Sequence, residues 1–301
     1  MSFTSEIKDE LFEKENEKSC CKTAELACYI NCLCAYSTDN IREGMVFACE
    51  DKRHAERIIS LIRDLTGCEG QVYVNKKHIC VKISESTAVL KILTLTGSFQ
   101  GFDSESPINP KTVKKDCCKG AYLRTAFLIN GFVTDPRKNY HMEFSDKEYT
   151  HAYGLKGLIN SFGVSAKIIE RKNHYVVYIK DSEQISDLLG IMSAHLSLLN
   201  LENIKVYKEV RNNINRKNNC ETSNIAKTVK ASVREQKAIN FLMETGEFKK
   251  LSPKLKEAAE ARLENPDLSY SELGELLNPP LRKSGIYHRL QKIVKIAEKV
   301  N

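Results

Sequence analysis

Cys20-Cys21-Lys22-Thr23-Ala24-Glu25-Leu26 returns 97 residues later as Cys117-Cys118-Lys119-Gly120-Ala121-Tyr122-Leu123, and this recurrence decides the fold. The same offset sets Met45 and Phe47 over Met142 and Phe144, and His54-Ala55 over His151-Ala152. After one residue of slippage, His78, Val81, Ile83 and Ser86 fall on His174, Val177, Ile179 and Ser182. A register held this far marks a duplicated unit. Two copies normally pack about a pseudo-twofold axis, so that each buries the face its partner exposes.

Each copy, about 20–96 and 117–196, predicts the order αββαββα. Helices open the copies at Cys20–Leu33 and Cys117–Asn130. Turn chemistry follows at Asp39-Asn40 and at Asp135-Pro136-Arg137-Lys138-Asn139, the second leading into the alternating strand from Tyr140 to Phe144. Ile58, Leu61, Ile62 and Leu65 have the i, i+3, i+4, i+7 spacing of a second helix, with its counterpart over about Glu148–Phe162. Second hairpins run through Val72–Val74 and Ile79–Ile83, and through Ala166–Ile169 and Tyr175–Ile179. Closing helices are expected at Ser86–Leu95 and Ser182–Leu196. In the first opening helix, Ala24, Ala27, Cys28, Asn31, Cys32 and Ala35 form one stripe of small side chains, which lets two backbones approach closely.

This stripe and element order resemble the LAGLIDADG homing endonucleases, in which paired helices meet between two sheets. Leu26 to Cys34 and Leu123 to Gly131 lie over the nine letters of that motif. The resemblance implies one metal-binding acid at each helix end, holding the divalent ions that activate water. Leu33 and Asn130 stand at those positions. Leucine cannot ligate a metal and a neutral amide supplies no charge, so cleavage chemistry is expected to be lost. Asp39 and Asp135 are the nearest displaced acids, and both suit turn formation better.

The chain has 301 residues, 42% of them apolar and 28% charged, which fits two or three globular domains. No apolar run approaches bilayer length and the amino end lacks an export signal, so cytosolic residence with no membrane partner is expected. The charge is uneven. Residues 203–301 carry 20 Lys and Arg against 12 Asp and Glu, whereas residues 1–202 carry 26 against 27. An excess confined to one segment points to a polyanion, because each cation paired with a phosphate releases counterions.

After Asn203 the sequence turns polar and basic, as a linker over 204–223 or a helix crossing between domains. Four helices are then expected. The first spans Asn224–Glu244 and buries Ile225, Val229, Val233, Ile239 and Leu242; the second is capped at Ser252 with Pro253 behind it. The third starts from Ser269 or Ser271. The fourth follows Asn278-Pro279-Pro280 and buries Ile286, Leu290, Ile293 and Ile296. A short helix, a tight turn and a helix that is basic on its free face form a helix-turn-helix pattern. The candidate DNA-binding residues are Ser271, Arg282, Lys283, Ser284, Tyr287, His288, Arg289 and Lys292, with Lys230 and Arg234 adding backbone contacts.

Ser2-Phe3-Thr4-Ser5-Glu6, the two Cys-Cys-Lys segments, and Ser271-Glu272-Leu273-Gly274-Glu275-Leu276-Leu277-Asn278-Pro279-Pro280-Leu281 are similar to the WhiA family of Gram-positive bacteria. This resemblance spans essentially the whole chain. It implies an α+β fold with a duplicated αββαββα LAGLIDADG-like domain followed by an all-α helix-turn-helix. The implied ranges are an N-terminal helix at 1–19, the LAGLIDADG-like domain at 20–203, the basic linker at 204–223 and the DNA-binding domain at 224–301. The resemblance also implies a nucleoid-associated transcription regulator connected with sporulation, cell division and chromosome segregation. Double-stranded DNA would be its partner, together with RNA polymerase or its sigma subunit if the N-terminal domain serves as a scaffold. The alternative is a nuclease with displaced metal ligands.

Cys20, Cys21, Cys28, Cys32 and Cys34 are the one candidate metal cluster in the sequence. They sit on one helix at mixed faces, so small-residue packing is the expectation, with no metal and no cofactor. His54 and His151 open equivalent helices, where local hydrogen bonding is expected of them. Phosphate-binding glycine loops and a hydrolase nucleophile arrangement are both missing from the sequence, leaving no support for a general hydrolase.

Overall fold

The computed structural model describes residues 2–35, 44–98 and 107–300; the expected turn at Asp39-Asn40 lies outside the described residues. The chain divides into two compact units, Met1–Lys208 and Glu209–Asn301.

The first unit begins with α1 (Phe3–Phe12). Its first copy follows as α2 (Ser19–Leu33), β1 (Cys34–Ala35), β2 (Met45–Cys49), α3 (Lys52–Thr66), β3 (Gln71–Asn75), β4 (His78–Ile83) and α4 (Ser86–Thr96). The second copy is α5 (Asp116–Asn130), β5 (Gly131–Val133), β6 (Met142–Asp146), α6 (Tyr149–Asn160), β7 (Lys167–Arg171), β8 (His174–Ile179) and α7 (Ser182–Ile191). Both antiparallel sheets have the same order, β1-β2-β4-β3 and β5-β6-β8-β7. The residues matched by the repeat are also cross-strand partners: Met45 faces Ile83 and Phe47 faces Val81, as Met142 faces Ile179 and Phe144 faces Val177. All eight are buried, because alternation along each strand turns them to the helix-covered face.

The two opening helices meet at a seam of small side chains. Ala24 and Ala121 pack with Cys21 and Cys118 at its start. Farther along, Ala27 and Cys28 join Tyr122 and Ala126 in the larger core. The Asn31 side-chain amide donates to the Tyr122 hydroxyl at 2.9 Å, crossing from one helix to the other. The expected stripe stops short of Ala35, which is exposed in β1 because α2 ends at Leu33.

α1 is tied down by polar contacts as well as by buried Ile7 and Leu11. The Thr4 hydroxyl donates to the Val133 carbonyl at 2.7 Å and accepts from the Val133 N–H at 2.9 Å. The Glu10 carboxylate accepts from the Leu196 and Ser197 N–H groups at 2.8 and 2.9 Å. Those groups belong to the otherwise unpaired first turn of α8 (His195–Glu244), where a carboxylate also complements the helix dipole.

One expectation changes at this point, and one pair of alternatives resolves. The closing helix of the second copy ends at Ile191 rather than Leu196, with Ser193 in the left-handed region at φ 66° before α8 begins. Of the two readings of residues 204–223, a linker or a helix, the structure has the helix, continuous with 224–244 in α8.

The second unit completes α8 and adds a short 3-10 turn at Glu247–Lys250, α9 (Pro253–Glu264), α10 (Tyr270–Glu275) and α11 (Lys283–Val300). Its core joins Ile239 and Leu242 to Leu255, Leu273, Ile286 and Leu290. Ile225, Val229 and Val233, expected in that core, are exposed: the first two precede the turns of α8 that are buried in this unit, and Val233 points away from the face that buries Ser232 and Glu235. On α11, Val294 and Ala297 are buried beside Ile293, while Ile296 is only half-buried.

Overpacking tests the seam. Ala121→Leu inserts three carbons where Ala24, Cys21 and Cys118 already touch, and should cost about 1–3 kcal/mol in urea unfolding. A loss within about 0.5 kcal/mol, as at an open surface site, would contradict close approach of the helices.

Candidate nucleic-acid interface

The C-terminal surface is built from the capping of α10. Ser269 is its N-cap: the Ser269 Oγ accepts the Glu272 N–H at 3.4 Å, and a Glu272 carboxylate oxygen accepts the Ser269 N–H at 2.8 Å. The two alternatives for this cap thus resolve to Ser269, leaving Ser271 exposed on the helix. After α10 the chain folds tightly back on itself, and the Leu281 N–H donates to the Gly274 carbonyl at 2.8 Å. A Cβ on Gly274 would stand 2.1 Å from the Leu281 carbonyl oxygen, so only glycine permits this turn.

A buried ion pair fixes the turn between α9 and α10. Arg262 and Glu235 side chains are each 1% exposed and meet at 3.0 Å. The Tyr270 hydroxyl donates to Glu235 at 2.5 Å, and Arg262 donates to the Leu268 carbonyl at 2.8 Å. Burial pushes the Glu235 carboxyl above its ordinary value, against the Tyr270 hydroxyl and the Arg262 charge that favour its ionised form. The Ser232 hydroxyl adds a 2.6 Å bond to the Pro266 carbonyl in the same turn.

α11 then presents its free face. Arg282, Lys283, Ser284, Tyr287, His288 and Lys292 are exposed. Tyr270 and Tyr287 rings meet edge-on at 5.5 Å, and with Arg282, Lys283 and Ser284 they line one recess at the start of the helix. Arg289 behaves differently. Its guanidinium is half-buried, 3.1 Å from the Glu257 carboxylate and 3.3 Å from the Lys254 carbonyl, and so joins α11 to α9. Lys230 is exposed on α8, whereas Arg234 pairs with Glu298 at 2.7 Å.

In the first unit, Leu33 and Asn130 come together in one groove at the ends of α2 and α5. Of the carboxylates lining that groove, Asp51 and Asp146 serve the fold. Asp51 caps α3 by accepting the Arg53 N–H at 2.9 Å and also pairs with the Arg53 side chain. Asp146 bonds to His151 Nδ1 and accepts the Glu148 N–H. Asp135, outside this lining, accepts the Arg137 N–H at 2.9 Å, the turn role expected of it. His54 meets the Tyr29 hydroxyl at 3.0 Å and His151 the Tyr122 hydroxyl at 2.7 Å, pinning each middle helix to an opening helix. Burial pushes His54 down to about 4, while Cys32 and Asp146 raise His151 despite its burial.

The cysteines are arranged differently from the five weighed in sequence. Cys28 and Cys32 lie one turn apart with sulfurs at 3.9 Å. Cys20 and Cys21 instead meet Cys117 and Cys118 of the second copy, four sulfurs all within 4.8 Å of one another. Treating the cluster as confined to one helix missed this set, although the repeated Cys-Cys-Lys was its signal.

A duplicated LAGLIDADG-like body whose acid positions are leucine and asparagine, carried with a helix-turn-helix, defines a narrow class of protein. A family model for the WhiA LAGLIDADG-like domain matches residues 42–105 and 119–211, and one for the WhiA C-terminal HTH domain matches residues 214–297. The chain belongs to the WhiA family. A probable cell division protein WhiA of Thermoanaerobacter pseudethanolicus is 44% identical over 313 residues, covering 100% of this chain and 98% of the relative. One of Alkaliphilus metalliredigens is 40% identical over 311 residues, covering 99% and 98%. The crystal structure of full-length DUF199/WhiA from Thermotoga maritima superposes with a TM-score of 0.58 at 26% identity, covering 99% of each chain. Among the described residues, no helix is long and apolar enough to cross a membrane.

Arg262→Ala strands the Glu235 charge in the core and should cost about 3–5 kcal/mol of second-unit stability in chemical denaturation. The paired replacement Glu235→Leu with Arg262→Met should cost far less; equal losses from both would mean that the ion pair does not govern this turn.

Proposed function

We propose that this chain is a non-enzymatic, sequence-specific DNA-binding regulator acting on the nucleoid, with targets connected to cell division, chromosome segregation and sporulation. The observation that carries this reading is the exposed set of Lys283, Ser284, Tyr287, His288 and Lys292 on α11, with Arg282 just before it, displayed beyond the capped α10. Arginine can bridge O6 and N7 of guanine in the major groove, and the start of α11 favours a phosphate beside Ser284. Because Arg289 is held by Glu257, base reading falls chiefly to Arg282 and Lys283. Ser271, Lys230 and Arg234 are the backbone-contact candidates.

Two observations support the loss of cutting chemistry in the first unit: Leu33 and Asn130 at the helix ends, and the structural duties of Asp51 and Asp146. A protein contact is the favoured role of that unit. The edge strands β3 and β7 expose Val72, Val74 and Ile169, an apolar presentation that fits RNA polymerase or its sigma subunit better than a phosphate backbone.

Anisotropy titrations on promoter and random duplexes test the reading. Arg282→Ala should cost about 1–3 kcal/mol on the promoter and much less on random DNA. Lys230→Ala should weaken both alike and lower the salt slope by about 1, whereas Arg289→Ala should leave base preference intact. Equal losses on both duplexes for Arg282→Ala would contradict base reading, and magnesium-dependent plasmid nicking by the intact chain would contradict the non-enzymatic assignment.

A further inference from the structure

We propose that Cys20, Cys21, Cys117 and Cys118 form a tetrathiolate site for one zinc ion that staples the opening helices of the two copies together. The four sulfurs already lie within 4.8 Å of one another. A tetrahedron with Zn–S bonds of about 2.3 Å has edges near ~3.8 Å, so closure requires only a modest inward movement of the side chains. Four sulfurs this close suit a single ion rather than an iron–sulfur cube, whose thiolates stand farther apart.

The placement is symmetric. Each vicinal pair occupies the second and third positions of its helix, α2 beginning at Ser19 and α5 at Asp116. Neither helix start has a side-chain cap, so the positive ends of both helix dipoles lie at the cysteine pairs. Cys21 and Cys118 are buried against Ala24 and Ala121, while Cys20 is half-buried and Cys117 exposed, which gives an inner wall and a route in. Lys111, Lys114 and Lys115 line the recess beside Cys20 and Cys118 and would offset the two negative charges of a zinc tetrathiolate.

Binding is an acid–base exchange without redox change. Zn2+ forms four Zn–S bonds as four thiol protons pass to solvent. Four protein ligands fill the coordination sphere and leave no open position for catalysis, so the role is structural. Cys28 and Cys32 offer only two sulfurs and are no alternative centre.

The test uses the intact chain, reduced and purified without chelator. Elemental analysis should find about one zinc per chain. Cobalt(II) chloride added to the stripped, reduced protein should produce the intense visible bands of tetrahedral thiolate coordination, saturating at one equivalent. The bands should vanish in Cys20→Ser with Cys117→Ser and persist in Cys32→Ser, each checked for folding by circular dichroism. Substoichiometric zinc together with no thiolate–cobalt bands in the reduced wild-type chain would overturn the proposal, and this arm depends on no variant. Bands that survive the Cys20 and Cys117 substitutions but disappear with Cys32→Ser would overturn it equally.

Discussion

The first unit depends on how closely α2 can approach α5. Alanine and cysteine at 21, 24, 118 and 121 leave no bulk between the two backbones. This contact brings the helix ends together and places Leu33 and Asn130 in one groove. In a nuclease of this architecture, such a groove would hold acids and metal. Here leucine and asparagine stand at the helix ends, while Asp51 caps a helix and Asp146 pairs with histidine.

The second unit follows a different logic. Apolar packing of Leu273 and Leu277 against Ile286 and Leu290 joins α10 to α11, and polar devices fix the turns around them: the Ser269–Glu272 cap, the glycine beneath Leu281 and the buried Arg262–Glu235 pair. A buried pair adds little net stability but penalises any arrangement that separates its members. It therefore suits a turn whose geometry must be held so that six polar and aromatic side chains stay on one outward face. The local excess of basic residues then has a surface to act through.

Much of this was legible in the sequence. The 97-residue offset gave the duplicated order, and the residues it matched prove to be cross-strand partners, because residues facing one core must alternate in phase. The α11 stripe was readable for the same reason. The unity of α8 was harder to see, since its middle is polar and resembles a linker; the available signal was the absence of any glycine or proline between His195 and Glu244. The exposure of Ile225 and Val229 was not legible, because periodicity shows which residues share a face but not where a neighbouring helix stops. Arg289 was read as a groove residue because its partner, Glu257, lies on another helix. Cys117 and Cys118 were missed for the corresponding reason: a site divided between two copies has no short spacing.

The most direct test of the central claim is hydrogen exchange on the intact chain with and without a promoter duplex. Slowed exchange concentrated in α10, the turn after it and the first turns of α11, with the sheets of the first unit unchanged, is the predicted result. Slowing confined to the two sheets and the groove at Leu33 and Asn130, with α11 unaffected, would contradict it.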